Sequence, residues 1–260
     1  MMSKITAVVL TKNEEVKIEK CLCCLQSFVD EIIVVDDNSE DKTVEICKKL
    51  GAKVIINESG GNFDKQRNIG IEKASCDWII QMDADEIIPS ETAVKIKEVI
   101  ENPSDYVAFK LRRKNFLFGH PLRYGGAYNW GVKLFKKGRA YYIGSSVHET
   151  LKIEGKIGRI DADIHHYPFT SMRDIFERTN FYTEVESKLF VENKRTVSFK
   201  EIKYRLTWKS IKLFWKLYVK KKGYKDGMYG LVWCILNVIG PQIRWLKIWE
   251  KALKEKKIEE

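Results

Sequence analysis

The chain has 260 residues, of which 44% are hydrophobic and 12% aromatic, so it can fill a core and is not a disordered polypeptide. Its formal net charge of +10 is concentrated near the C-terminus, because residues 194–257 carry 18 Lys and Arg against 4 Asp and Glu. The N-terminus lacks the apolar length and cleavage site of a signal peptide. No CxxC pair faces another, which argues against a zinc site and favours reduced thiols in a cytosolic protein.

The first 56 residues alternate between apolar runs and amphipathic segments. Strands are predicted at Ile5–Leu10, Glu31–Val35 and Lys53–Ile56. Between them, helical patterns run through residues 18–25 and about 43–50. This β-α-β-α-β order predicts a doubly wound parallel sheet, in which ligands bind beyond the carboxyl ends of the strands.

Polar turns follow the predicted strands at that edge. Two of them are Thr11–Glu15 and Asp36–Asp41, and a third, after the apolar run Ile79–Met82, holds Asp83, Asp85 and Glu86. Desolvating an ionised carboxylate is costly, so we expect a cation here, and a hard divalent ion that bridges to phosphate is the economical candidate. Solvated or helix-capping turns are the alternative. No GxGxxG or GxxxxGK[ST] sequence supports a dinucleotide or P-loop site.

A helix is predicted over Phe63–Ala74, with Lys65, Arg67 and Asn68 near its start. Cationic side chains and free backbone N–H groups at a helix N-terminus suit a diphosphate. A solvated basic helix face is the alternative.

Four motifs occur in order along the chain, namely TKNEE, VVDDNSEDKT, DKQRNIG and QMDADE. Together they resemble the family 2 glycosyltransferases of the GT-A fold, and most closely the lipopolysaccharide-core glucosyltransferase type, over roughly residues 3–170. The resemblance implies a sugar nucleotide whose uracil and ribose contact the first two turns, and a diphosphate near the helix start. It also implies that Asp85 binds Mg²⁺ or Mn²⁺, and it leaves Glu86 without a role. The implied substrate-binding residues are Thr11, Asn13, Glu15, Asp37, Lys65, Arg67, Asn68 and, nearer the ribose, Asp83.

After Pro103 the pattern changes to short, antiparallel strands at Tyr106–Leu111, Lys133–Phe135 and Ala140–Ile143. Aromatic residues in the loops at 116–120 and 124–130 offer flat faces on which an acceptor sugar could stack. Ordinary hydrophobic packing beneath a loop is the alternative.

Two later stretches carry candidate chemistry. The subgroup that the chain resembles has a His-Glu pair where His148 and Glu149 stand, and many relatives have Glu-Asp there. The resemblance implies that Glu149 is the base that deprotonates the acceptor hydroxyl and that His148 orients it. A structural ion pair is the alternative. His165 and His166 follow at the end of another predicted strand, where either could complete the metal site, contact the diphosphate or be a satisfied structural histidine.

The C-terminal region combines aromatic and basic residues. The apolar set Tyr204, Trp208, Ile211, Trp215 and Tyr218 has helical spacing, and Lys209, Lys212, Lys216 and Lys220 repeat on the other side of the same helix. A second apolar stretch, Met228–Gly240, is expected to end at Pro241 and is short for a membrane span. The region could lie on an anionic membrane, or pack on the catalytic domain or a second subunit. No recognisable module supports nucleic-acid binding.

Together these observations predict an α/β protein of the GT-A type, with a mixed sheet flanked by helices and an amphipathic helical appendage. The expected domains are residues 1–195, divided into a nucleotide-sugar half (1–102) and an acceptor half (103–195), and a basic helical region (196–260). The expected enzyme is an inverting, metal-dependent hexosyltransferase on the inner face of the cytoplasmic membrane. It would move a sugar from a UDP-sugar to a glycolipid or saccharide, in lipopolysaccharide or cell-surface glycan synthesis. The alternatives are a non-catalytic nucleotide-sugar-binding adaptor and a nucleotidyltransferase. The sugar, the acceptor, the choice of metal and the oligomeric state stay open.

Overall fold

The computed structural model describes residues 3–60, 62–143, 151–193 and 196–259. The chain divides into two compact units, of which the first comprises Met1–Lys114 and Asn129–His166 and the second Asn115–Tyr128 and Tyr167–Glu260. The predicted domain boundary at residue 195 falls inside the second unit. The predicted acceptor half, residues 103–195, is divided between both units.

Strands and helices alternate through the first half of the chain, and long helices dominate the second. The strands are β1 (Ile5–Thr11), β2 (Glu31–Asp36), β3 (Lys53–Ile56), β4 (Trp78–Asp83), β5 (Glu86–Ile87), β6 (Tyr106–Leu117), β7 (His120–Pro121), β8 (Tyr128–Lys136), β9 (Ala140–Tyr142), β10 (Leu151–Ile153), β11 (Lys156–Phe169), β12 (Val197–Ser198) and β13 (Ile258–Glu259). The α-helices are α1 (Ile18–Gln26), α2 (Thr43–Lys49), α3 (Phe63–Lys73), α4 (Ser90–Glu101), α5 (Met172–Glu192), α6 (Phe199–Leu206), α7 (Trp208–Trp215) and α8 (Gly227–Lys254).

The first unit is built on a mixed sheet with the strand order β3-β2-β1-β4-β8-β6-β11-β5. Strand β1 pairs in parallel with β2 and with β4, and β2 pairs in parallel with β3. The sheet becomes antiparallel where β4 meets β8, and β11 pairs antiparallel with β5. A mixed sheet flanked by helices, as the sequence predicts, is confirmed.

Successive residues of β1 pack on opposite faces of this sheet. Ala7 and Val9 belong to the core that includes α1 and α4, whereas Val8 belongs to the core on the other face, with α3. Because both faces are covered, the strand is apolar at nearly every position. Helix α3 approaches closely at Gly70, where an added Cβ would lie 2.3 Å from Val8 Cγ1.

The observed elements of the first unit follow the predicted ones closely. Strand β3 has the predicted bounds, and the other strands before residue 60 differ from prediction by one residue. Strands β6 and β8 are longer than predicted. Strand β6 continues through the charged residues 112–114, which conceal its apolar alternation, and β8 begins at Tyr128, inside the segment that was expected to be a loop.

In the second unit, α8 packs along α5. Its core includes Val191, Ile202, Trp245 and Ile248. Ion pairs also join the two helices, for example between Arg244 Nη1 and Glu186 Oε2 at 2.8 Å. No helix within the described ranges is long and apolar enough to cross a membrane.

Two expectations for this region are wrong. The aromatic-lysine segment is not one helix, because Thr207 leaves the helical conformation (φ −108°, ψ −92°) and separates α6 from α7. Pro241 does not end the second apolar stretch, because α8 continues through it to Lys254. Proline removes one backbone hydrogen bond, at a cost of about 3 kcal/mol, but Trp245 and Ile248 beyond it are buried and offset that cost.

Candidate functional site

The turns that follow β1 and β2 form one hydrogen-bonded structure at the carboxyl edge of the sheet. The Thr11 hydroxyl donates to Asp36 Oδ2 at 2.7 Å. Asn13 has a left-handed backbone (φ +53°), which asparagine tolerates better than most residues. Its N–H donates to Ser39 Oγ at 2.8 Å, and its side-chain oxygen accepts from the Glu40 N–H at 2.8 Å. The structure therefore brings the two predicted nucleoside-binding turns together.

Two predicted carboxylates in these turns are held by neighbouring donors. Asp37 accepts from the N–H and the hydroxyl of Ser59 at 2.7 and 2.8 Å, and Lys12 Nζ lies 3.0 Å from its Oδ2. Glu15 Oε2 accepts from the Lys42 N–H at 3.1 Å. Neighbouring donors therefore fix the orientation of both carboxylates.

The residues predicted to lie near a diphosphate differ in their surroundings. Asn62 caps α3 by accepting from the Lys65 N–H at 3.0 Å, and the Lys65 side chain is exposed. The Asn68 amide is engaged by the backbone of Tyr142, since it donates to the Tyr142 carbonyl at 2.8 Å and accepts from its N–H at 2.9 Å. Lys65 is thus available to a ligand, whereas Asn68 ties α3 to β9.

Asp83, at the end of β4, lies among three cationic side chains. Arg67 Nη2 is 3.2 Å from its Oδ1, and Lys133 Nζ and Arg113 Nη1 are 3.7 and 4.0 Å from its Oδ2. Burial opposes ionisation of this carboxyl, but Lys133 and the two arginines outweigh it and hold the pKa of Asp83 well below its usual range. Asp83 is therefore an anion with its charge neutralised by the protein.

Glu86 stabilises the same turn from inside the protein. It has no exposed surface, and its Oε2 lies 2.6 Å from Lys133 Nζ. The same oxygen accepts from the Asp83 N–H at 3.0 Å, and Arg113 Nη1 is 3.9 Å from Oε1. Glu86 thus joins the backbone of the turn to a buried cation.

Asp85 faces a histidine from a distant part of the chain. In the antiparallel pair of β5 and β11, His166 stands opposite Glu86 and His165 opposite Ile87. This register places His166 Nε2 3.3 Å from Asp85 Oδ1. Burial opposes ionisation of Asp85, but His166 outweighs it and lowers the pKa of the carboxyl. Of the two histidines that the sequence left open, the structure brings His166 to Asp85.

The Asp85–His166 pair offers one oxygen and one nitrogen ligand for a divalent cation. Asp85 Oδ1 is buried, and the described part of the chain supplies no well-aligned hydrogen bond to it. Within that same part, no three His, Cys, Asp or Glu side chains gather into a metal site by themselves. The donor set therefore fits a metal ion that takes its remaining ligands from a bound diphosphate or water.

His165 has different surroundings from those of its neighbour. Burial and the positive charge of Lys114 lower the pKa of its imidazole, and Asp163 partly opposes this effect. This environment favours a neutral ring within the strand.

Arg113 and Lys133 are site residues that the sequence analysis did not identify. The expectation that a cation meets the acidic turn is fulfilled by these side chains, on β6 and β8. The available signal was a lysine directly before two buried residues, Leu134 and Phe135, within an apolar strand. Such a lysine, 13% exposed, needs an anionic partner.

The predicted catalytic residues His148 and Glu149 lie outside the described residues. Two aromatic side chains from the predicted acceptor loops are stacked within the second unit. Phe116 stacks on Tyr167 with 4.5 Å between ring centroids, and His120 on Tyr229 at 4.2 Å. These two faces pack against protein, as the alternative interpretation expected.

Comparisons with known proteins agree with the family that the order of the motifs indicates. A family model described as Glycosyl transferase family 2 matches residues 6–151, which is more than half of the chain. The chain belongs to this family. The prediction of a glycosyltransferase is thereby confirmed.

Relatives of the enzyme match over nearly its whole length. An uncharacterised glycosyltransferase of Rickettsia conorii is 28% identical over 99% of this chain and 94% of its own. The lipopolysaccharide core biosynthesis glycosyltransferase LpsC of Rhizobium meliloti is 23% identical over 96% of this chain and 94% of its own. Among solved structures, S. aureus TarS 1–349 is 16% identical, with a TM-score of 0.49 over 97% of this chain and 92% of that one.

Proposed function

We propose that this glycosyltransferase is an inverting, metal-dependent enzyme that transfers a hexose from a UDP-sugar to a glycolipid or saccharide. The observation that carries the proposal is the 3.3 Å approach of His166 Nε2 to the buried Asp85 Oδ1. These two groups are 81 residues apart in sequence, and together they would form a two-ligand metal site beside the predicted nucleoside-binding turns. Asp85 and His166 would hold Mg²⁺ or Mn²⁺, and His165 is left out of that site.

The charge of the acidic turn supports the binding of a metal together with a diphosphate. Asp83, Asp85 and Glu86 bring three carboxylates. Three cationic side chains, Arg67, Arg113 and Lys133, lie against Asp83 and Glu86, whereas Asp85 faces His166. Because the cluster is already balanced, a divalent cation is favoured when an anionic diphosphate arrives with it. When bound, the metal would stabilise the negative charge that develops on the leaving diphosphate.

The other residues would bind and orient the donor. Thr11, Asn13, Glu15 and Asp37 would contact the uridine, and Asp83 the ribose, because their polar atoms gather at the carboxyl edge of the parallel strands. Lys65, exposed at the start of α3, would add a positive charge near the diphosphate. By resemblance, Glu149 would take the proton from the acceptor hydroxyl and His148 would orient it. Attack on the face opposite the leaving group would invert the anomeric carbon.

The relative LpsC supports a glycolipid acceptor, since its name assigns it to lipopolysaccharide core biosynthesis. The basic C-terminal segment supports the expectation that the enzyme works on the inner face of the cytoplasmic membrane. The acceptor would then be held at a lipid surface, and the donor would reach the site from the cytoplasm.

Release of UDP from a panel of labelled UDP-hexoses, with and without Mn²⁺ or Mg²⁺, tests the proposal. Asp85→Asn should abolish most of the metal-dependent turnover, and Asp105→Asn, on an exposed aspartate of the same unit, should leave it unchanged. Glu149→Gln should lose turnover but still bind UDP. Full metal-dependent turnover in Asp85→Asn would refute the metal assignment, and unchanged turnover in Glu149→Gln would refute the base.

Two further measurements, of melting temperature and of pyrophosphate release, separate the two alternatives. A non-catalytic adaptor would raise its melting temperature with a UDP-sugar but release no UDP under any condition. A nucleotidyltransferase would release pyrophosphate from a nucleoside triphosphate and a sugar phosphate.

A further inference from the structure

Helix α7 exposes three of its large apolar side chains. Trp208, Ile211 and Trp215 are 63%, 59% and 57% exposed, and their spacing of three and four residues places them on one face of the helix. We call these three residues the outer stripe. The residue that α7 buries is Ser210. A helix of a globular protein normally buries its apolar face, so the outer stripe is a surface that the described part of the chain leaves uncovered.

The segment around the outer stripe is strongly basic. Residues 202–225 contain nine Lys and Arg and no Asp or Glu. Lys209, Lys212 and Lys216 are exposed and interleave with the outer stripe along the helix. Exposed tryptophans next to lysines, with no acidic residue, match the composition of a helix that lies in the plane of an anionic membrane.

The charge of the segment disfavours a second copy of this chain as the partner of the outer stripe. In a symmetric dimer the same patch meets itself, so two segments of nine basic residues would be brought together. The resulting repulsion opposes self-association through the outer stripe. An anionic lipid surface has the opposite charge. The boundary between its headgroups and acyl chains is apolar enough to bury the two tryptophan side chains.

We propose that the outer stripe of α7 inserts into the headgroup layer of an anionic bilayer, with Lys209, Lys212 and Lys216 contacting lipid phosphates. The proposal deepens the proposed function, from which it takes the membrane-held acceptor, and it names the element that contacts lipid. An interfacial helix of this kind buries its apolar face about 5–10 Å into the boundary between headgroups and acyl chains.

Co-sedimentation of the full chain with vesicles tests both parts of the contact. The parent protein should sediment with phosphatidylcholine vesicles that contain phosphatidylglycerol, and much less with pure phosphatidylcholine. The double variant Trp208→Ala/Trp215→Ala should bind the anionic vesicles at least about tenfold more weakly, because it removes most of the apolar area that would be buried. The control Trp130→Ala/Tyr141→Ala removes two exposed aromatic side chains from the first unit and should bind as the parent does.

The charge is tested separately. Each lysine near an anionic surface contributes about 1 kcal/mol, which is about fivefold in affinity, so Lys209→Gln/Lys212→Gln/Lys216→Gln should bind roughly a hundredfold more weakly at low salt. The matched control Lys152→Gln/Lys156→Gln/Lys188→Gln removes the same charge from exposed positions elsewhere and should change binding much less. High salt should weaken binding of the parent more than binding of the triple variant, which keeps six of the nine basic residues of the segment.

Turnover of a UDP-sugar with a water-soluble acceptor, or with water, requires no membrane. Measuring it in the α7 variants therefore tests the proposed enzyme independently of the proposed lipid contact. The α7 variants should retain this turnover, because none of the changed residues lies in the donor site. Equal binding of the parent and the tryptophan variant to anionic vesicles would overturn the proposal. The proposal would also be overturned if the parent did not bind vesicles and the same substitutions abolished a dimer or a complex with an oligonucleotide.

Discussion

The ammonium group of Lys133 lies 2.6 Å from Oε2 of Glu86, a carboxylate with no exposed surface. Glu86 Oε2 also accepts the backbone N–H of Asp83, so this pair connects β8 to the acidic turn after β4. A buried ion pair of this kind adds little net stability over an apolar pair, but removing one partner leaves the other charge buried alone. The position of Asp83 thus depends on a lysine 50 residues further along the chain.

Lys133→Met should therefore destabilise the protein by about 3–5 kcal/mol, because Glu86 would lose its closest cation. The double variant Lys133→Met/Glu86→Gln should recover much of that loss, since neither buried charge remains. Urea unfolding of both variants measures the two free energies. Lys152→Met, at an exposed lysine, is the control and should change stability by less than about 0.5 kcal/mol. A double variant no more stable than Lys133→Met would contradict this account of the pair.

The two histidines of β11 should behave differently toward a metal. His166→Ala should weaken Mn²⁺ binding in the presence of UDP by roughly 10–100-fold, the range for groups that ligate or orient a metal site. His165→Ala, one residue away and opposite Ile87, should leave that affinity unchanged. Isothermal titration of Mn²⁺ into the UDP complex provides the measurement. Equal losses in both variants would mean that the register of β5 and β11 does not select the ligand.

Lys65 and Asn68 are one turn apart on α3 and should have different roles. We expect Lys65 to bind the ligand and Asn68 to stabilise the fold. Asn68→Ala should cost about 1–3 kcal/mol of stability, because the N–H and carbonyl of Tyr142 lose their partner. Lys65→Ala should leave stability unchanged and weaken UDP-sugar binding. Lys73→Ala, at the other end of the helix, controls for loss of charge. Thermal unfolding and UDP titration of the three variants check this division, and a destabilised Lys65→Ala would speak against it.

Glu31 should make stability depend on acid pH. Burial opposes its ionisation, but hydrogen bonds from Lys53, Thr6 and Ser75 outweigh that effect and lower its pKa from 4.5 to about 2. The unfolded chain therefore takes up the proton first as pH falls. The stabilisation is complete above the unfolded-state pKa and is lost progressively between about pH 4.5 and pH 2.

The Glu31→Gln variant tests this dependence. It should be less stable than the parent at pH 6, and the difference should shrink as the pH is lowered toward 3.5. Urea unfolding across that range measures the difference, and Glu250→Gln, at an exposed glutamate, controls for a general effect of charge. If the difference in free energy of unfolding between the parent and Glu31→Gln stayed constant with pH, the charge of Glu31 would not contribute, and hydrogen bonding alone would explain the lower stability of the variant.

Local patterns were sufficient for much of the first unit. The run Lys53–Ile56 has the predicted bounds, and Ile5–Thr11 extends its prediction by one residue, because apolar β-branched residues define a strand buried on both faces without reference to distant parts of the chain. The ordered motifs around Thr11, Asp37 and Asp83 were likewise sufficient for the family, since each lies in a short segment at a strand end.

The partners of those motifs were decided by tertiary structure. The choice of His166 over His165 depends on the register of β11 against β5, and a shift of one residue would have exchanged the two. The approach of Lys133 and Arg113 to the acidic turn depends on strand order in the sheet, which no local pattern contains. Contacts with a distant segment also explain why α8 continues through Pro241. Proline tends to end a helix, but the packing of α8 side chains on α5 outweighs that tendency. Apolar periodicity is local and can be read along the chain, whereas pairing register and packing are decided by contacts between residues far apart in it.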